Sequence, residues 1–275
     1  MLKANYHTHT KLCRHAIGEV IDYVKVAYEC GFSEIGISDH APYLERFMTK
    51  EEFKRSRLDT GAMDFNELDE YFHQIKEAKI KYPRVKVLTG FETEFLEDEI
   101  DYYKELKKKV DYLNLGIHFL KKNGHIIDTY LDLDYSNLSD YVNNIENAVK
   151  SGLYTTICHP DLFMFGYKDR FGNWSFDDEC IKATRRICEI ALKYDMYLEV
   201  NANGLKYAKD KNNMDTWKYP YPKFWEIVKE YKDIKIIIGA DAHEPNALCS
   251  SNVLDVIEFT KNLGLNVLDF MEVKK

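Results

Sequence analysis

The chain has 275 residues, 45% hydrophobic and 31% charged, with a formal net charge of −8, values that suit a globular protein with a sizeable core. The acidic balance argues against a general nucleic-acid-binding surface, because a phosphate backbone demands a basic footprint. No run approaches the about eighteen apolar residues of a membrane span, and six cysteines without Cys-x-x-Cys spacing or a signal peptide read as reduced thiols of a cytoplasmic protein.

A short apolar start (Met1, Leu2, Ala4, Tyr6) leads into His7-Thr8-His9. If it is extended, period-two alternation turns both imidazoles to one side, where they can chelate a divalent metal. His15, in what reads as a loop six residues on, can reach the same neighbourhood. Residues 19–31 read as a helix with Val20, Val24, Ala27 and Tyr28 on one face and Gly31 as its terminator. A β-like run at 33–37 ends in Ser38-Asp39-His40. Residues 43–63 are charged and irregular and read as a long, lid-like loop. Asp64 to Glu67 resembles a capping box, opening a helix that carries Phe65, Leu68, Phe72 and Ile75 inward.

The alternation then repeats. A strand at 85–91 ends at Glu92 and precedes a helix at 98–110. A strand at 112–117 ends at His118, followed by a hairpin-like Lys122-Asn123-Gly124 and a helix at 141–150. A strand at 154–158 ends at His159-Pro160-Asp161; an aromatic, glycine-containing loop then leads to a helix capped by Ser175, with Ile181, Cys188 and Leu192 inward. A strand at 197–200 ends at Asn201-Ala202-Asn203-Gly204, and a helix follows at 224–231. A strand at 234–239 ends at Ala240-Asp241-Ala242-His243. The last helix spans 251–263, with an apolar run at 265–270 behind it.

Seven strand–helix alternations without a linker imply one α/β domain over 1–275, with parallel strands and right-handed crossovers. No glycine-rich phosphate loop follows the first strand, which favours a closed barrel over an open dinucleotide-binding sheet.

The placement of the His, Asp and Glu residues decides the rest. His7 and His9, His40, Glu92, His118, His159, and Asp241 with His243 all follow apolar β-like runs. In a parallel barrel those ends open onto one face, where active sites are built. Histidines with two carboxylates and no cysteine suit Zn, Mn or Fe with open positions rather than a closed structural zinc site. Nine ligands exceed the capacity of one metal, so two or three ions are expected, with Glu92 as the natural bridge. Paired metals about 3.5–4 Å apart serve hydrolysis of phosphate esters or amides. His73 and His125 stand outside this pattern. Glu94 reads as a partner of a ligand rather than a ligand, and Tyr43, Phe95, Phe119 and Phe163 as packing or pocket wall.

His-x-His with a further His six residues on, Ser-Asp-His, Gly-Phe-Glu, Gly-Ile-His, Cys-His-Pro-Asp and Gly-Ala-Asp-Ala-His resemble, in order, the motifs of the PHP (polymerase and histidinol phosphatase) family. Cys13-Arg14-His15-Ala16, Ser38-Asp39-His40-Ala41-Pro42 and Leu198-Glu199-Val200-Asn201 resemble its histidinol-phosphatase branch. The resemblance implies a distorted (β/α)7 barrel with a trinuclear metal centre. By that resemblance His7, His9, Glu92 and Asp241 hold one ion; Glu92, His118 and His159 a second; His15, His40 and His243 a third. Ala240 stands where the family more often has serine, which removes a hydroxyl but no ligand.

The implied activity is metal-dependent hydrolysis of the small molecule L-histidinol phosphate. The catalytic candidates are Glu92, Asp241, His243 and Asp39, the last as an acid–base group or as a partner of a ligand. Arg170 and Lys206 in strand-end loops, and Arg14 between ligands, are candidate phosphate-binding cations. The alternatives are another small phosphate ester, nucleotide or oligonucleotide ends, or a non-catalytic metal-binding module; the net charge disfavours a polymer.

Overall fold

The apolar runs fold as a ring of parallel strands. A computed structural model describes residues 2–44 and 61–273. Its strands are β1 (Ala4–Asn5), β2 (Glu34–Ile37), β3 (Lys86–Thr93), β4 (Tyr112–Leu115), β5 (Phe119–Lys122), β6 (His125–Asp128), β7 (Thr156–Ile157), β8 (Tyr197–Asn201) and β9 (Lys235–Gly239). Seven of them pair in parallel in the order β1-β2-β3-β4-β7-β8-β9. The ring closes where the chain beyond β1 meets the chain beyond β9. There the His9 amide donates to the Ala242 carbonyl at 2.9 Å, and the Ala242 amide donates to the His7 carbonyl at 3.2 Å. The expected barrel is therefore the observed architecture. Both faces of its strands are covered, which is why runs such as Ile236-Ile237-Ile238 are continuously apolar.

Helices α1 (Val20–Glu29), α2 (Leu68–Lys81), α3 (Ile100–Lys107), α4 (Leu138–Lys150), α5 (Asp178–Lys193), α6 (Pro222–Val228) and α7 (Ser251–Leu263) cover the strands. Asp64 and Glu67 form the expected capping box ahead of α2. Phe65 lies inside that turn rather than on the helix face and is 47% exposed. Tyr28, expected on the buried face of α1, is also largely exposed.

Asp177, not Ser175, caps α5; its carboxylate accepts from the Glu179 and Cys180 amides and also favours the positive end of the helix dipole. The buried arc of α5 runs through Cys180, Ala183, Ile187 and Ala191. Leu192, five residues beyond Ile187 and so about 140° round the helix, faces outward.

Two further elements position the site. After β4, β5 and β6 form an antiparallel hairpin. Asn123 (φ 53°) and Gly124 (φ 80°) supply its left-handed two-residue turn, the geometry that matches strand twist. The apolar run at 265–270 adds no strand to the ring; Val267 only bridges Ile236. It leads instead to Met271, which packs with Tyr6, Tyr112, Tyr197 and Ile237 and fills the barrel on the side away from the strand C-termini.

Cys30 and Cys249 form a disulfide that ties the end of α1 to the turn before α7. This corrects the reading of six reduced thiols: the two are 219 residues apart, and only the closed ring brings them together. The remaining four cysteines are free and buried. Among the described residues no helix is long and apolar enough to cross a membrane. The loop expected at 43–63 falls mostly outside the described residues.

Candidate metal centre

The strand ends deliver their side chains to one point, and Glu92 is at its centre. Its Oε2 lies 3.1 Å from His7 Nε2, 3.4 Å from His9 Nε2 and 3.4 Å from His40 Nδ1. Its Oε1 lies 3.0 Å from His159 Nε2 and 3.6 Å from His118 Nε2. Beside it, Asp241 Oδ1 lies 3.5 Å from His7 Nε2, 3.2 Å from His9 Nε2 and 3.3 Å from His243 Nδ1. The His9 ring stacks between His40 and His243, each 4.4 Å away, and the His15 ring is 4.7 Å from that of His243. All nine expected ligands thus converge.

Local backbone chemistry makes this crowding possible. Gly116, ahead of His118, lets Glu92 approach: a Cβ there would stand 2.3 Å from Glu92 Oε1. Gly239 does the same for Glu199, where a Cβ would stand 1.7 Å from Oε1. His159 (φ 30°) and Asp241 (φ 47°) adopt left-handed backbone, a conformation that costs a non-glycine residue energy and is concentrated at functional sites.

A layer of acceptors and donors behind the cluster fixes its orientation. Glu199 Oε1 accepts from His7 Nδ1 at 2.8 Å, and its Oε2 accepts from the His159 amide at 3.1 Å. Glu94, read from the sequence as such a partner, lies 2.7 Å from His118 Nδ1 and accepts from the His118 amide at 2.9 Å. Asn201 and Asn203 donate side-chain amides to Asp241 Oδ2 at 3.2 and 3.0 Å. Partners of this kind set tautomer and ring direction for metal-binding imidazoles.

The donor set fits divalent cations. His7 Nε2, both ring nitrogens of His9, His159 Nδ1 and Asp241 Oδ1 are buried without a hydrogen-bond partner, a costly state unless another ligand engages them. Groups His9–His40–His243 and His7–His159–Asp241 each bring their ligand atoms within 4.8 Å of one another. Burial and the neighbouring His9 push His40 and His243 down, His243 to about 3, so both present neutral lone pairs. Against the cost of burial, surrounding imidazoles hold Glu92 and Asp241 well below the usual carboxylate range. His118 is pushed up to about 9, because Glu94 and Glu92 outweigh its burial; a dication beside it would replace that proton.

The cluster floors a cavity of about 630 Å³. Of the three candidate cations, Lys206 lines it. Arg14 is engaged elsewhere, 2.9 Å from Asp64 and 2.5 Å from Glu67. Arg170 sits on the exposed turn that Asp169 braces and is not part of the cavity wall. Asp39 is fully buried. It accepts from the Thr10 amide and hydroxyl and lies 3.7 Å from His9 Nδ1, which makes it a brace behind His9. Asp161 of the Cys-His-Pro-Asp motif accepts from the Tyr221 amide and the Trp225 indole and anchors α6. His73 is exposed beside Glu77, and His125 is exposed on the hairpin.

The role of Glu199 is not legible in the sequence beyond its place two residues before the Asn201 strand end. Asp128 and Asn203 also line the cavity, and neither stands out by its type or spacing in the sequence.

Residues 5–203 match the family model of the PHP domain. The chain belongs to the PHP domain family. This PHP domain is 24% identical over 276 residues to a "Probable histidinol-phosphatase" of Deinococcus radiodurans, with 98% of this chain and 96% of that protein covered. It is 24% identical to a "Probable histidinol-phosphatase" of Schizosaccharomyces pombe, covering 87% of this chain and 80% of the relative. Its fold is similar to that of histidinol phosphate phosphatase from Lactococcus lactis, a structure complexed with zinc, L-histidinol and phosphate. The TM-score is 0.70 at 16% identity, covering 97% of this chain and 95% of that one.

Proposed function

We propose that this PHP domain is a metal-dependent phosphomonoesterase that hydrolyses L-histidinol phosphate to L-histidinol and phosphate, using two or three divalent ions (Zn, Mn or Fe). The observation that carries the reading is Glu92, a fully buried carboxylate with five imidazole nitrogens 3.0–3.6 Å from its two oxygens. The relatives named for the same activity and the histidinol- and phosphate-containing structure of similar fold support the choice of substrate.

His7, His9, Glu92 and Asp241 would hold one ion; Glu92, His118 and His159 a second; His15, His40 and His243 a third. Ions held there would supply Lewis acidity for hydrolysis of a phosphate ester. The chain's own residues orient and neutralise. Glu199 and Glu94 lock the His7 and His118 rings, so that Nε2 of each faces Glu92. Asn201 and Asn203 engage Asp241 Oδ2 and leave Oδ1 toward the cluster. Lys206, on the cavity wall, brings a flexible ammonium to the phosphate oxygens, where charge builds in the transition state.

Phosphate release from L-histidinol phosphate by protein of measured metal content tests the reading. Turnover is expected, lost on chelation and restored by adding back a divalent ion; metal-loaded protein without turnover contradicts it.

A further inference from the structure

Among the described residues, three carboxylates line the cavity: Glu92, Asp241 and Asp128. The histidine cluster engages the first two. Asp128 lies at the end of β6, on the hairpin that follows His118. Two bonds fasten the next residue to that strand end: the Thr129 amide donates to the His118 carbonyl at 2.8 Å, and the Thr129 hydroxyl to the Ile117 carbonyl at 2.8 Å. Asp128 is thereby fixed beside the cluster, within electrostatic reach of His118.

Its carboxylate is buried at 5% exposure. Oδ1 accepts from the Tyr130 amide at 2.8 Å, and among the described residues no lysine or arginine pairs with it. A buried carboxylate on a cavity wall is costly unless a cation meets it. Among the described residues, the other charged side chain of this wall outside the cluster is Lys206, after β8. A negative and a positive group on the wall above the histidines form the complement of a zwitterion, with an anionic phosphate toward Lys206 and a cationic nitrogen toward Asp128. Tyr130 and Phe119 beside Asp128 give the same side an apolar, aromatic wall suited to the body of the leaving alcohol.

We propose that Asp128 is a specificity-determining residue, and that the preferred substrates are phosphomonoesters of amino alcohols whose ammonium group pairs with its carboxylate. The inference rests on the phosphomonoesterase reading and deepens it: the hairpin, not the histidine cluster, selects the alcohol.

The test compares matched phosphomonoesters that differ only in the amine, L-histidinol phosphate against its desamino analogue and O-phosphoethanolamine against ethyl phosphate. Both pairs are assayed with metal-loaded wild type and Asp128→Asn. Asparagine keeps the oxygen that accepts from Tyr130, so the turn is retained; circular dichroism and metal content check this. Wild type is expected to favour the amine in at least one pair by tenfold or more in kcat/KM. In Asp128→Asn that ratio is expected to fall by tenfold or more, chiefly through KM, and competitive inhibition by L-histidinol is expected to weaken in step. Equal loss for both members of a pair, an unchanged ratio, or no wild-type preference in either pair overturns the role of Asp128. Wild type that favours O-phosphoethanolamine but leaves histidinol phosphate untouched removes the proposed substrate while upholding Asp128. Absence of turnover on all four esters removes both.

Discussion

Glu199 Oε1 stands 2.8 Å from Nδ1 of His7, and both side chains are buried. The contact holds the ring so that Nε2 faces Glu92 at 3.1 Å. Removing the carboxylate leaves His7 free to change tautomer and rotamer. Glu199→Ala is expected to weaken metal affinity about 10–100-fold, with Glu199→Gln less affected because its amide oxygen can still accept. Competition against a chelator, followed by metal analysis, measures it; unchanged affinity in the alanine variant contradicts the role.

Gly116 carries a second prediction in which no ligand is replaced. A methyl group there falls 2.3 Å from Glu92 Oε1, so Gly116→Ala must displace the central carboxylate or shift the strand. Overpacking of this kind costs about 1–3 kcal/mol. A lower unfolding midpoint with loss of at least one ion per chain is expected. Wild-type stability and metal content would mean that the strand end yields without cost.

The candidate cations separate cleanly by position. Lys206→Ala is expected to lower kcat/KM for the phosphomonoester at least tenfold, about 1.4 kcal/mol, with metal content intact. Arg170→Ala is expected to stay within about twofold, since Arg170 is outside the cavity wall. Steady-state kinetics of the two variants decide the matter, and the reverse pattern would move the phosphate site to the 169–173 turn.

Thiol chemistry tests the packing. Burial pushes the Cys180 and Cys188 thiols up to about 12, so at pH 8 their thiolate fraction is on the order of 10⁻⁴. Cys13 and Cys158 are raised further by burial. Native protein is expected to resist iodoacetamide at pH 8. Denatured, unreduced protein is expected to take up four labels, matching the four free cysteines, and two more after reduction. Mass spectrometry reads the count; six labels without reductant would contradict the Cys30–Cys249 bond.

The ring and its ligand face were legible because two independent signals coincided. Apolar runs such as 234–239 marked buried parallel strands, and a ligand type followed each of six of them. What escaped was set by neighbours distant in sequence. Glu199 gains its role from His7, 192 residues away, and from the His159 amide, and Cys30 meets Cys249 only once the ring has closed. Leu192 and Phe65 show the limit of reading one face from apolar spacing: Leu192 faces outward on its helix, and Phe65 falls in the turn ahead of one. Arg170 follows a strand end in sequence, but the structure puts it on the exposed 169–173 turn and not in the cavity wall. Asp39, open in the sequence between an acid–base group and a partner of a ligand, takes the second place, bracing Thr10 and His9.

Glu92 is the residue on which the account depends, and Glu92→Ala tests it most directly. The measurement is metal content per chain together with phosphate release from L-histidinol phosphate, for wild type and variant prepared alike. The expected result is at least two ions in wild type, at least one fewer in Glu92→Ala, and turnover reduced by several orders of magnitude. Full metal content and wild-type turnover in Glu92→Ala would contradict it.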